Sequence, residues 1–119
     1  MKKLIAAIML TLASGELFAE NGGVYSFLTA GQLLQVCESS EPFQYGSCLN
    51  YLAGTVDTLN MLMDMGAVTD DAYCLPSNIT QTQLRFVTIK HLKNNPELLN
   101  HIAADQVAMA LDEAFPCNK

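Results

Sequence analysis

Basic side chains are scarce in this chain, with six lysines and arginines against twelve aspartates and glutamates. Nucleic acids and anionic membranes are held by positive surface, so both are disfavoured as partners, and the acidic balance favours a basic protein instead. The usual constellations of catalysis are missing too. No Cys-x-x-Cys pair occurs, and neither His91 nor His101 stands at a zinc-like spacing from a cysteine, which disfavours a metal centre and a thioredoxin-type redox site. Ser26, Ser39, Ser40, Ser47 and Ser77 sit in no nucleophile-elbow pattern, and there is no Gly-rich phosphate loop. No cofactor, metal or catalytic residue is therefore expected. Asp57 and Asp64 share a face of one helix, but two turns separate them by about 10 Å, so they read as a solvated stripe with Asn60. Convincing period-two alternation is absent as well, and no strand is expected.

What is present begins with an export signal. Lys2 and Lys3 precede an apolar run from Leu4 to Ala13, interrupted only by Thr11. These are the charged and apolar regions of a secretory leader, and the run is too short to span a bilayer. It offers no polar face to water, as an amphipathic first helix of a folded domain would. Ala19 supplies the small residue before a cut, so residues 1–19 are expected to be a cleaved signal peptide and 20–119 one helical domain. The mature chain keeps four of the six basic residues and eleven of the twelve acidic ones. One core is all that such a length supports, and its stability is marginal.

Covalent staples answer that need. Cys37, Cys48, Cys74 and Cys117 all fall in the mature part, and an even number in an exported chain reads as a disulfide framework.

Four helices are expected between loops. Thr29 and Gln32 form a capping-box pattern that opens the first, which carries Leu33, Leu34 and Cys37. Ser39 to Pro42 breaks it. The second runs from Phe43 or Tyr45 to Met65 and ends at Gly66, its core face being Tyr45, Cys48, Leu49, Leu52, Ala53, Val56, Leu59 and Met63. A weaker stripe on the same helix, Tyr51, Thr55, Thr58, Leu62 and Met65, means that it either lies centrally or forms a subunit contact. Gly54 in mid-helix commonly marks a close backbone approach. After a loop, Asn78 or Thr80 caps a third helix that reaches Asn94. Asn95 as cap and Pro96 at the first helical position then start a fourth, ending near Ala114.

The fold class is thus all-α, a small four- to five-helix bundle with two disulfides. If the helices run up and down, the end of the first meets the start of the second, and the ends of the second and fourth meet at the other pole. Of three possible pairings, that arrangement selects Cys37 with Cys48 and Cys74 with Cys117.

Two surfaces could serve a partner. On the third helix Phe86 and Ile89 fall opposite Leu84 and Val87, between Lys90 and Lys93; the alternative is a helix buried on both sides. In the loop, Asp70 and Asp71 stand beside Tyr73, an aromatic among carboxylates suited to anchor a basic protein; the alternative is a solvated loop. His91, on the side of Leu84, reads as a packing residue, and His101 as part of the fourth helix's polar face.

Taken in order, Leu33-Leu34 and Cys37, Cys48-Leu49-x-Tyr51-x-x-Gly54-x-x-Asp57, Tyr73-Cys74-x-Pro76, Gln83-Leu84, Leu92-x-x-x-Pro96-x-x-Leu99 and Phe115-Pro116-Cys117 resemble the Rap/Tai family of type VI secretion immunity proteins. The resemblance implies a periplasmic, all-helical, disulfide-bonded inhibitor without enzymatic activity. Its target would be a peptidoglycan amidase resembling NlpC/P60 cysteine peptidases, and the inhibitor would act as a homodimer that blocks the catalytic cleft with a helix and a loop. Applied to this chain, it places inhibition on the third helix and the loops beside it. Asn95 departs from the histidine often found before the proline in that family. A periplasmic holdase of the acid-stress type is the alternative, and it differs in binding many unfolded clients rather than one enzyme.

Overall fold

The computed structural model describes residues 27–118. The expected leader and its cleavage point lie outside them. Helices α1 (Ala30–Glu38), α2 (Pro42–Asp64), α3 (Gln81–Asn94) and α4 (Ala103–Ala114) form the bundle, with a 3-10 turn at Pro96–Leu98.

Local chemistry fixes most of these ends. Thr29 Oγ1 accepts the Gln32 amide at 3.2 Å while Gln32 Oε1 accepts the Thr29 amide at 2.9 Å. Thr80 and Gln83 repeat the same reciprocal box at the start of α3, at 3.1 and 2.9 Å, so Thr80 rather than Asn78 is the cap. At the far end of α2, Gly66 adopts φ +71°. Its amide reaches the Met63 carbonyl and the Ala67 amide reaches that of Leu62, both at 2.9 Å. Those two bonds are a Schellman motif, and they satisfy carbonyls that the helix leaves open.

Two expected boundaries move. Helix α2 starts at Pro42, because the Glu41 carboxylate accepts the amides of Phe43 and Gln44 at 3.1 and 2.8 Å and the proline suits the first helical position. The expected fourth helix breaks in two. Asn95 makes no capping bond; its side-chain Nδ2 donates to the His91 carbonyl at 2.8 Å instead. The carbonyls of Leu99 and His101 accept the Gly31 and Ala30 amides at 2.8 and 2.9 Å, and the Leu28 carbonyl accepts the Ala103 amide at 3.1 Å. The free N–H groups of α1 thus take acceptors from a segment that would otherwise be helical. Thr29 and Ile102 form an isolated antiparallel bridge there, and a Cβ on Gly31 would meet the Leu99 carbonyl oxygen at 3.2 Å. His101 accordingly precedes α4 rather than lying on its polar face.

All four helices feed one core. Leu33 and Cys37 of α1, Cys48 and Leu52 of α2, Leu92 of α3, and Val107 and Leu111 of α4 are fully or almost fully buried. The disulfides close as the bundle topology requires, Cys37 to Cys48 and Cys74 to Cys117, each with Cα atoms 5.0 Å apart.

One core member is badly matched to its surroundings. Thr88 is fully buried and its hydroxyl has no hydrogen-bond partner. Thr88→Val keeps the branched shape and removes that desolvated hydroxyl. Chemical denaturation of the variant is expected to show a gain of about 1 kcal/mol; a loss would mean that the hydroxyl is satisfied.

Candidate functional site

The surface around α3 is built on its first two turns. Arg85 is the only arginine of the chain, and its Nε donates to the Cys37 carbonyl at 2.7 Å. That bond directs the guanidinium across the Tyr45 ring, 4.9 Å from its centroid, and beside Phe86 at 5.5 Å. Phe86 is 59% exposed and Phe43, at the start of α2, is 79% exposed. Because Cys37 is tied to Cys48, the carbonyl that holds Arg85 belongs to a covalently fixed corner. The result is a cation packed between two aromatic rings, one of which, Phe86, faces water.

The expected partner residues divide on this frame. Phe86 and Lys90 are exposed, whereas Ile89 is half-buried against the core and serves packing. Lys93 Nζ pairs with Glu38 Oε1 at 3.0 Å, both side chains being largely exposed. Asp70 and Asp71 are on the surface, far along the chain from this corner and at the opposite end of α2.

Tyr73 is not an exposed anchor. It is 4% exposed, belongs to the core cluster, and its hydroxyl donates to Asn60 Oδ1 at 2.9 Å. The neighbouring disulfide and the bond from the Cys74 amide to the Phe115 carbonyl, 2.8 Å, draw the loop inward and carry the ring with it. Arg85 is the residue that sequence reasoning passed over. Its signal was available: a lone arginine directly before an aromatic.

Burial raises the pKa of Tyr73 above its ordinary value of 10.0. Tyr51 is also raised, chiefly by burial and further by Asp105, against a lowering hydrogen bond to Thr55. A folded-state pKa above the unfolded one gives stability that is complete below about 10 and is lost as pH rises through the folded value. Helix content is thus expected to fall above pH 10 as tyrosinate absorbance rises, and Tyr73→Phe to delay the loss. Coincident ionisation with no loss of helix would contradict the burial.

His91 spans the α3–α4 contact. Its Nδ1 lies 2.8 Å from Glu113 Oε2 and its Nε2 lies 3.1 Å from Gln106 Oε1. Gln106 is buried and donates onward to Met109 Sδ at 3.5 Å. The imidazole thereby links two helices, as a packing histidine should. All four cysteines are in disulfides, and among the described residues no cluster of three or more His, Cys, Asp or Glu side chains is placed to hold a metal. No described helix is long and apolar enough to cross a membrane.

The sequence model of the Rap1a immunity proteins matches residues 29–117. The chain belongs to the Rap1a immunity protein family. No curated protein and no solved structure matches the chain. Membership in the Rap1a family implies an immunity protein of a type VI effector, and hence that the chain binds a cognate effector. The matched span runs from the α1 cap, Thr29, to the last disulfide cysteine, Cys117, so it takes in the whole bundle and both disulfides.

Proposed function

We propose that this Rap1a-family chain is a periplasmic immunity protein that binds a type VI secreted peptidoglycan amidase, an NlpC/P60-like cysteine endopeptidase, and occludes its active-site cleft as a homodimer. The observation that carries the reading is the Arg85 corner. Tight protein inhibitors concentrate their binding energy in a few rigid aromatic and arginine side chains. Here Tyr45 and Phe86 flank a guanidinium already fixed by the Cys37 carbonyl, so little side-chain entropy remains to be lost on binding. Two disulfides fit an oxidising compartment, where an amidase acting on the cell wall would be met.

The test asks whether a neighbouring gene encodes an amidase with a Cys–His pair, and pairs the purified mature protein with that product. Nanomolar binding by calorimetry and survival of cells that express the amidase in the periplasm are expected. Failure of both results would reject the reading. Suppression of aggregation of several unrelated acid-unfolded proteins, without amidase binding, would favour the holdase instead.

A further inference from the structure

The seam between α2 and α4 is an open groove, and none of the described residues fills it. Tyr51, Gly54, Thr58 and Leu62 from α2 face Ala104 and Ala108 from α4 across a hollow of about 490 Å³. A second hollow of about 410 Å³ continues it past Leu59 and Ala108 toward Met63, Val68 and Met109. The weaker apolar stripe of α2 is therefore not central; it floors this groove. From Asn50 to Leu62 the floor is about 18 Å long at 1.5 Å per residue, enough for some three turns of a docked helix.

Gly54 marks the middle of it. Among the described residues a Cβ there would meet nothing within 4 Å, so none of their backbone makes the close approach that a mid-helix glycine suggests. The helix forgoes about 0.5–1 kcal/mol of stability relative to alanine with no described neighbour that requires it. Thr58 Oγ1 donates back to the Gly54 carbonyl at 2.8 Å, so its hydroxyl is spent on the helix itself. The floor is thus flat and apolar.

Charge decides the occupant. All lysines and arginines among the described residues, Arg85, Lys90 and Lys93, lie on α3. Helices α2 and α4 contain none, and they carry Asp57, Asp64, Asp105, Asp112 and Glu113. Asp105 and Asp112 line the two hollows directly. Two copies facing each other through this groove would oppose like charges, which costs affinity.

We propose that the α2–α4 groove docks a cationic amphipathic helix of another protein, apolar side chains over Gly54 and lysines or arginines against Asp105 and Asp112. The proposal stands on the groove and its charge, whichever face meets the amidase.

The probe is an 18-residue helical peptide of leucine and lysine, with a leucine–glutamate peptide as its counterpart, titrated into the ¹⁵N-labelled mature protein. Expected are micromolar binding of the first alone, weakening with salt, and amide shifts concentrated on Tyr51 to Leu62 and Ala104 to Met109. Gly54→Ala should raise the melting temperature while weakening the peptide at least several-fold, opposite signs that a purely structural glycine does not produce; Lys90→Ala should leave it unchanged. Three outcomes overturn the proposal: shifts scattered over the acidic surface, an affinity indifferent to Gly54→Ala, or a self-association that Gly54→Ala abolishes.

Discussion

Arg85→Ala is expected to weaken effector binding by at least 100-fold and to abolish protection in cells, while leaving the helices intact by circular dichroism. A hundredfold loss corresponds to about 2.7 kcal/mol, the range of an interface hot spot. The variant loses the cation between Tyr45 and Phe86 and the donor to the Cys37 carbonyl, and both rings become free to move. The hydrogen bond bears on folding at about 1 kcal/mol, and the cation–ring contact with Tyr45 adds about 0.5–1 kcal/mol. Arg85→Lys should be nearly as poor, since a lysine has neither the planar stacking surface nor the rigid fork that lets one nitrogen bond the Cys37 carbonyl while the rest of the group lies across Tyr45. Lys93→Ala is the contrasting case. Its exposed pair with Glu38 is worth at most about 1 kcal/mol, and binding should change less than about threefold. An Arg85→Ala protein that still binds with native affinity would remove this corner from the interface.

Replacing both Cys74 and Cys117 by alanine is expected to cost about 4 kcal/mol, against about 3 kcal/mol for Cys37 and Cys48, by the loop-closure entropy of sequence separations of 43 and 11. For a domain of this size, 4 kcal/mol lowers the melting temperature by roughly 15–30 °C. It is also a large share of the total, since domains hold about 5–15 kcal/mol. The bond does more than close a long loop. It seats the segment that carries Tyr73 into the core, beside the Cys74–Phe115 backbone bond. Thermal melts of the two double variants should therefore differ, and only the first should expose the Tyr73 ring to quenchers. Equal losses for the two pairs would count against the entropic ranking.

Much of the fold was legible in the sequence because its signals are short-range. Thr29 with Gln32, Thr80 with Gln83, and Gly66 each act within one helical turn, and all three mark helix ends in the structure. The disulfide pairing followed once helix order set which ends meet. What was not legible depends on partners distant in the chain. The break before Ala103 exists because α1 takes carbonyls from Leu99 and His101, roughly seventy residues away along the sequence, while Pro96 alone looks like a helix start. Tyr73 reads as exposed beside Asp70 and Asp71 until the disulfide pulls its segment inward. Thr88 and Gln106 look polar in any periodicity count, yet both are core residues. At the candidate site, Phe86 and Lys90 were visible as the face opposite Leu84. Arg85 stood out only as a lone arginine before Phe86, and its place at the corner depends on the Cys37 carbonyl, 48 residues earlier.

The central claim, that the Arg85 corner is the surface meeting the effector, is tested most directly by hydrogen exchange of the protein with and without its cognate effector. The account predicts slowed exchange at Phe43 to Tyr45 and at Arg85 to Lys90. Unchanged exchange in both segments, with the slowing confined elsewhere, would contradict it.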